Sequence, residues 1–184
     1  ATLPVWSAKD GYPGHPQYRE FHRDLGWDLP IERLAPLGLT QPRPLSLKLH
    51  RVTDHGVSLD RKKPYQPSVA AQQVRDHAAH YLKGRRLQLD QLSVAMDAAP
   101  LLVAPFDAEL FGHWWFEGPA FLGEVFRQGA RENVAFTHLR EVLNKSGQLQ
   151  LCDPSPSSWG QGGYHNYWLN ETNSWVVPEW ERAS

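Results

Sequence analysis

The residue best placed to do chemistry is a carboxylate that closes a short apolar run. Leu101-Leu102-Val103-Ala104-Pro105-Phe106 reads as a strand buried on both faces, and Asp107 stands where it ends. In parallel α/β architectures the active site gathers at the C-terminal ends of the strands, so Asp107 has the position of a general acid/base. Its aromatic surroundings (Phe106, Phe111, Trp114, Trp115, Phe116) would lower the local dielectric and raise a carboxyl pKa toward a value useful for proton donation. Asp107 could equally cap the turn that follows it. Glu109 and Glu117 read as solvated or capping residues.

His113, between Gly112 and two tryptophans, could hydrogen-bond a sugar hydroxyl or orient Asp107. His77 and His80 lie three apart on an expected helix, with no His-Glu-x-x-His pattern and no third ligand nearby, so they read as a solvated face and no metal is expected. A second aromatic stretch runs from Pro154 to Asn170. Its glycines (Gly160, Gly162, Gly163) let the chain pass close to a ligand, and Trp159 and Trp168 offer flat faces on which sugar rings stack. There is no phosphate-binding glycine loop, no Gly-x-Ser-x-Gly elbow and no Cys/His pair of catalytic context, which disfavours nucleotide binding and serine or cysteine hydrolysis.

Several elements must position these groups. Residues 1–7 and Leu45 to Val52 read as strands, and Val134 to Phe136 as a further short one. Tyr18, Phe21 and Leu25 recur at helical spacing over Gln17 to Leu25. Pro67 and Ser68 open a helix expected to reach Gly84, Pro119 to Gln128 resumes helical spacing, and Thr137 to Leu143 opens another short helix. Strands alternating with helices favour an α/β fold over a sandwich. The 184 residues, 41% hydrophobic and 21% charged, fit one globular domain spanning 1–184.

Nineteen basic against twenty acidic residues leave a net charge of −1, which gives no field to draw the chain onto nucleic acid or an anionic membrane. Cys152 is the single cysteine, so an internal disulfide and a cysteine-clustered zinc site are excluded, in keeping with a cytoplasmic location. No apolar run reaches the roughly 18 residues that span a bilayer, and the first residues lack the pattern of a signal peptide. With no initial Met and a strand-like start, the sequence reads as a fragment that begins inside a fold.

The segment from Val103 through Asp107, Glu109, Phe111 and His113 to Trp115 resembles the fourth conserved region of family 57 glycoside hydrolases, the α-1,4-glucan branching enzymes in particular. Three further stretches are similar: Val5-Trp6-Ser7 with Asp10 to Gly14 and Tyr18 to Phe21; Leu47 to Thr53; and Ser157 to Gly160 with Gly162-Gly163-Tyr164. The resemblance implies the C-terminal portion of an incomplete (β/α)7 barrel of the glycoside hydrolase/deacetylase type. It also implies a retaining mechanism with one Glu nucleophile and one Asp acid/base, no cofactor, and an α-glucan substrate. On that likeness Asp107 is the acid/base, Trp159 and Trp168 line a glucan channel, and Arg19 and Trp27 contact the donor or acceptor glucan. The family's nucleophile belongs to a Trp-Leu-Pro-Glu-Cys-like segment that has no counterpart in this sequence, and neither has the helical domain that follows the barrel. The chain is then expected to carry the acid/base without the nucleophile, to be inactive alone, and to need the N-terminal half of a barrel as partner. A hydrolytic amylase, a 4-α-glucanotransferase and a non-catalytic glucan-binding remnant are the alternatives.

Overall fold

The longest element follows from a stripe of small and branched residues. In the computed structural model, which describes residues 3–145, 151–158, 160–163 and 165–183, helix α4 spans Pro67–Ala95. Pro67 presets φ at the first helical position, where no N–H is needed. Ala70, Val74, Ala78 and Leu82 recur at four-residue intervals and are the helix's buried face. Helix α5, Gly118–Gly129, buries Phe121, Val125 and Gly129 at the same spacing and packs along α4. α4 runs 11 residues beyond the Gly84 expected as its end: glycine inside a helix costs only about 1 kcal/mol, and good helix formers such as Arg85, Arg86, Leu87 and Gln88 follow it.

Tyr12, Tyr18, Leu110 and Trp115 complete the core around these two helices. Each large apolar side chain fully buried there contributes on the order of 1.5–3 kcal/mol. Three one-turn helices precede α4: α1 (Leu3–Trp6), α2 (Leu25–Asp28) and α3 (Ile31–Leu34). α6 (Leu139–Lys145) and α7 (Val176–Ala183) follow α5. The chain divides into two compact units, Ala1–Phe136 and Thr137–Ser184.

The expected strands are the main correction. Residues 3–6 are helical, and among the described residues there is no β-ladder, only the isolated bridges Arg19–Arg51, His50–Pro64 and Phe111–Trp115. Leu45 to Val52 does alternate, but its main chain bonds in two directions. Leu47 and His50 carbonyls accept from Leu25 and Glu20 N–H at 3.0 and 2.9 Å, while the Leu49 carbonyl accepts from Tyr65 N–H at 2.9 Å. The expected helix at 17–25 is lost to the same pairing, since Val52 N–H donates to the Tyr18 carbonyl at 2.8 Å. Asp24 then turns the chain into α2, accepting from Gly26 and Leu45 N–H at 2.9 Å each. Inside this layer the Lys62 ammonium is buried and donates to the Val52 and Asp54 carbonyls at 2.7 and 2.9 Å, with the Glu20 carboxylate 3.2 Å away.

Residues 98–106, which hold the expected buried strand, make no backbone hydrogen bond among the described residues. Leu101 and Val103 are 44% and 64% exposed. An apolar run forms a strand only beside a partner that accepts its main-chain groups. Val134 to Phe136 is likewise no strand: Val134 N–H returns to the Gly129 carbonyl at 2.9 Å, closing α5, and Phe136 packs edge-on against Phe126.

Candidate functional site

Asp107 opens a single 3₁₀ turn, Ala108–Leu110, and its side chain makes no cap hydrogen bond. It is therefore not held as the turn's cap. The carboxyl is exposed, so the aromatic enclosure expected around it is not formed by the described residues. Phe106 and Phe111 meet edge-on at 5.8 Å, while Trp115 turns into the core against Tyr18 and Phe121 at 5.6 and 5.0 Å. The turn is fixed by main-chain bonds from His113 and Trp114 N–H to the Glu109 carbonyl at 3.2 and 3.3 Å. Glu109 Oε1 accepts from the Trp114 indole N–H at 3.2 Å.

His113 is exposed and stands edge-on to Trp114 at 5.0 Å and to Phe21 at 6.0 Å. Phe21 lies against Trp114 at 4.9 Å. Loop 107–116 and the segment around Phe21 thus share an aromatic face, of which the sequence had singled out only His113 as a ligand contact.

Arg19 sits on that same segment. Its guanidinium lies 3.4 Å from the centroid of Phe116 and 4.8 Å from that of Tyr65, a cation–π sandwich. Its backbone N–H donates to Glu117 Oε1 at 3.0 Å. Glu117, expected to be solvated or capping, is only 4% exposed, and although it occupies the N-cap position of α5 its side chain caps nothing there. Burial pushes its pKa up; the Tyr65 hydroxyl and the Arg19 backbone and cation oppose this without overcoming it. Tyr65 is raised in turn, by burial first and then by Glu117. Glu117 Oε2, Arg19 Nε and Trp115 Nε1 are buried without a hydrogen-bond partner of good geometry among the described residues. Sequence reasoning missed this group. The available signal was an acidic residue set between an aromatic run and a Gly-Pro helix start, where a Ser, Thr or Asp cap is the norm.

Trp27 is 57% exposed on α2, in the same unit as Arg19, His113 and Asp107. Trp168 belongs to the second unit and is 58% exposed, its N–H bonded to the His165 carbonyl at 2.8 Å. Trp159 lies outside the described residues. Among the described residues no three His, Cys, Asp or Glu side chains converge as metal ligands.

No family model matches the sequence. A 1,4-α-glucan branching enzyme of Thermococcus kodakarensis is 34% identical over 180 residues, which cover 97% of this chain and 24% of that protein. A probable 1,4-α-glucan branching enzyme of Mycobacterium tuberculosis is also 34% identical over 180 residues, covering 94% of this chain and 31% of its own length. Among solved structures, the α-amylase AmyC of Thermotoga maritima matches with a TM-score of 0.81 and 35% identity, over 97% of this chain and 33% of that one. The family 57 branching enzyme of Pyrococcus horikoshii matches with a TM-score of 0.77 and 32% identity, over 96% and 30% of the two chains. This chain therefore spans a quarter to a third of the relatives it matches. Alike to them in sequence and in fold over nearly all its residues, it is a homologue of the family 57 glycoside hydrolases and corresponds to one segment of them.

Proposed function

We propose that this chain is the C-terminal barrel portion of a cytoplasmic 1,4-α-glucan branching enzyme of glycogen synthesis, with Asp107 as general acid/base. The observation that carries the reading is the 34% identity with a branching enzyme over 97% of the chain, a stretch in which Asp107 is solvent-exposed. In a retaining transfer Asp107 would donate its proton to the departing glycosidic oxygen while a Glu nucleophile takes the glycosyl group. As a carboxylate it would then accept the proton of an acceptor glucan's C6 hydroxyl, which attacks the glycosyl–enzyme bond and forms an α-1,6 branch. That chemistry needs a second carboxyl roughly 5–5.5 Å away. No Glu of this sequence fits the family's nucleophile segment, so the chain alone should be inactive and its partner is the N-terminal half of the barrel. Arg19 and Trp27, with His113 and the two tryptophans Trp159 and Trp168, are the proposed glucan contacts.

The test is a branching assay on amylose with this chain alone and mixed with the N-terminal half of a full-length homologue. Activity in the mixture that Asp107→Asn removes supports the reading; activity of the chain alone overturns the missing-nucleophile part of it. A hydrolytic or linear-transfer enzyme is the second reading, favoured by the TM-score of 0.81 against an α-amylase. Products holding only α-1,4 linkages would select it.

A further inference from the structure

Two tyrosines on one segment reach two histidines on one helix. The Tyr18 hydroxyl meets His77 Nδ1 at 2.8 Å and the Tyr12 hydroxyl meets His80 Nδ1 at 2.7 Å. The contact is reinforced by rings: Tyr12 stacks on His77 at 4.3 Å and 26°, and His15 stands edge-on to His77 at 5.0 Å. Tyr12 and Tyr18 are themselves wedged against Phe121 and Trp115, both at 5.6 Å. His77 is thus packed into a seam between the 11–20 segment and α4 where its spacing predicts a solvated face, while His80 remains exposed, as predicted, with its Nδ1 against the Tyr12 hydroxyl.

We infer that this Tyr–His seam is an acid-labile latch, which holds the Arg19-bearing segment 11–20 against α4 at neutral pH and releases it when His77 takes up a proton. The inference stands on the packing of the first unit and is independent of the glucan-branching reading.

The chemistry runs as follows. Burial pushes the Tyr12 hydroxyl up to about 12 and Tyr18 higher still, so both stay protonated, and each shares a hydrogen bond with an imidazole Nδ1. A proton on His77 would turn the Tyr18 bond round, with Nδ1 donating to the hydroxyl oxygen, and would set a charge among the packed rings of Tyr12 and His15. The groups facing His77 disfavour that proton. Burial acts first, then the neighbouring His15 from the 11–20 segment and His80 from α4; Asp76, on α4, is the one opposing charge, and together they lower His77 to about 4. From the remaining elements, Glu117 faces Tyr18, and Arg85 and Tyr81 of α4 face Tyr12. With the segment detached, His77 would titrate near its ordinary 6.5. The closed form therefore binds fewer protons than the open one between these values, and falling pH drives opening. Between pH 7 and pH 4 the opening constant should rise about 100-fold.

Hydrogen exchange on the intact chain tests this. Protection factors of the His15, Tyr18 and Glu20 amides, whose bonds go to the Tyr12, His15 and His50 carbonyls, are compared with those of α5 at pH 7 and pH 4. The expected result is a loss of about 100-fold in the segment with α5 unchanged, and no such loss in His77→Gln, where the amide still accepts from Tyr18 but cannot be protonated. Equal loss in segment and helix, no loss in either, or an unaltered loss in His77→Gln would overturn the latch. Should His77→Gln fail to fold, titration of the His77 ring protons in the unaltered chain decides: a midpoint near 4 supports the latch, and one near 6.5 overturns it.

Discussion

Glu117 and His77 bias the same unit in opposite directions. A carboxyl whose folded pKa is raised contributes its full stability below the unfolded value and loses it as pH climbs through the folded value. A histidine whose folded pKa is lowered to about 4 behaves in reverse: its contribution is present above 6.5 and disappears as pH falls from 6.5 toward 4. Glu117→Gln keeps an oxygen for the Arg19 N–H and removes the charge. Its stability relative to the parent chain should therefore improve as pH rises above the ordinary carboxyl range and level off once the raised folded value is passed, as read from urea unfolding at each pH. Glu117→Ala deletes the acceptor as well and should be about 1–3 kcal/mol less stable than Glu117→Gln at each pH, since the Arg19 N–H is left buried and unpaired. Asp107 is the contrasting residue: exposed and free of cap bonds, it can be changed with little effect on folding. That combination makes Asp107→Asn a clean probe of chemistry.

At the scale of elements, what the sequence discloses depends on whether an element's stabilisation is internal. α4 and α5 were legible because the four-residue recurrence of Ala70, Val74, Ala78 and Leu82, and of Phe121 and Val125, lies within each helix. The segments read as strands were not, because a strand's hydrogen bonds lie in another segment and spacing cannot say whether one is present. Leu47 and Leu49 alternate properly yet bond to different neighbours. The site divides the same way. Asp107 and His113 are proposed from a local motif, whereas Glu117's burial arises from the approach of Arg19, 98 positions away, which no local pattern encodes. The tight turn Tyr12–Gly14 gives a sharp test of how firmly one element is placed. A Cβ on Gly14 would stand 1.7 Å from the Ala8 carbonyl oxygen. Gly14→Ala should thus cost at least about 3 kcal/mol, beyond any helix-propensity effect, and lower the thermal midpoint by roughly 6 °C or more.

At the scale of the whole molecule, the first unit has its own core, made where the Tyr12–Tyr18 segment, α4, α5 and the 107–117 loop converge. Among the described residues, 98–106 contribute no main-chain bond to it. Val103→Pro, which deletes an N–H that has no acceptor among the described residues, should therefore change the unfolding free energy of this chain by no more than about 0.5 kcal/mol. The same substitution in a ladder would be severe. Amides that find no acceptor among the described residues, flanked by the exposed Leu101 and Val103, should favour pairing with a second copy. At high concentration two copies are expected to pair along this stretch, and Pro100 and Pro105, which have no N–H to offer, would limit how far that pairing runs. Light scattering that climbs with protein concentration, and that Val103→Lys abolishes, would be its signature, and a storage buffer for this chain should be chosen with that edge in mind.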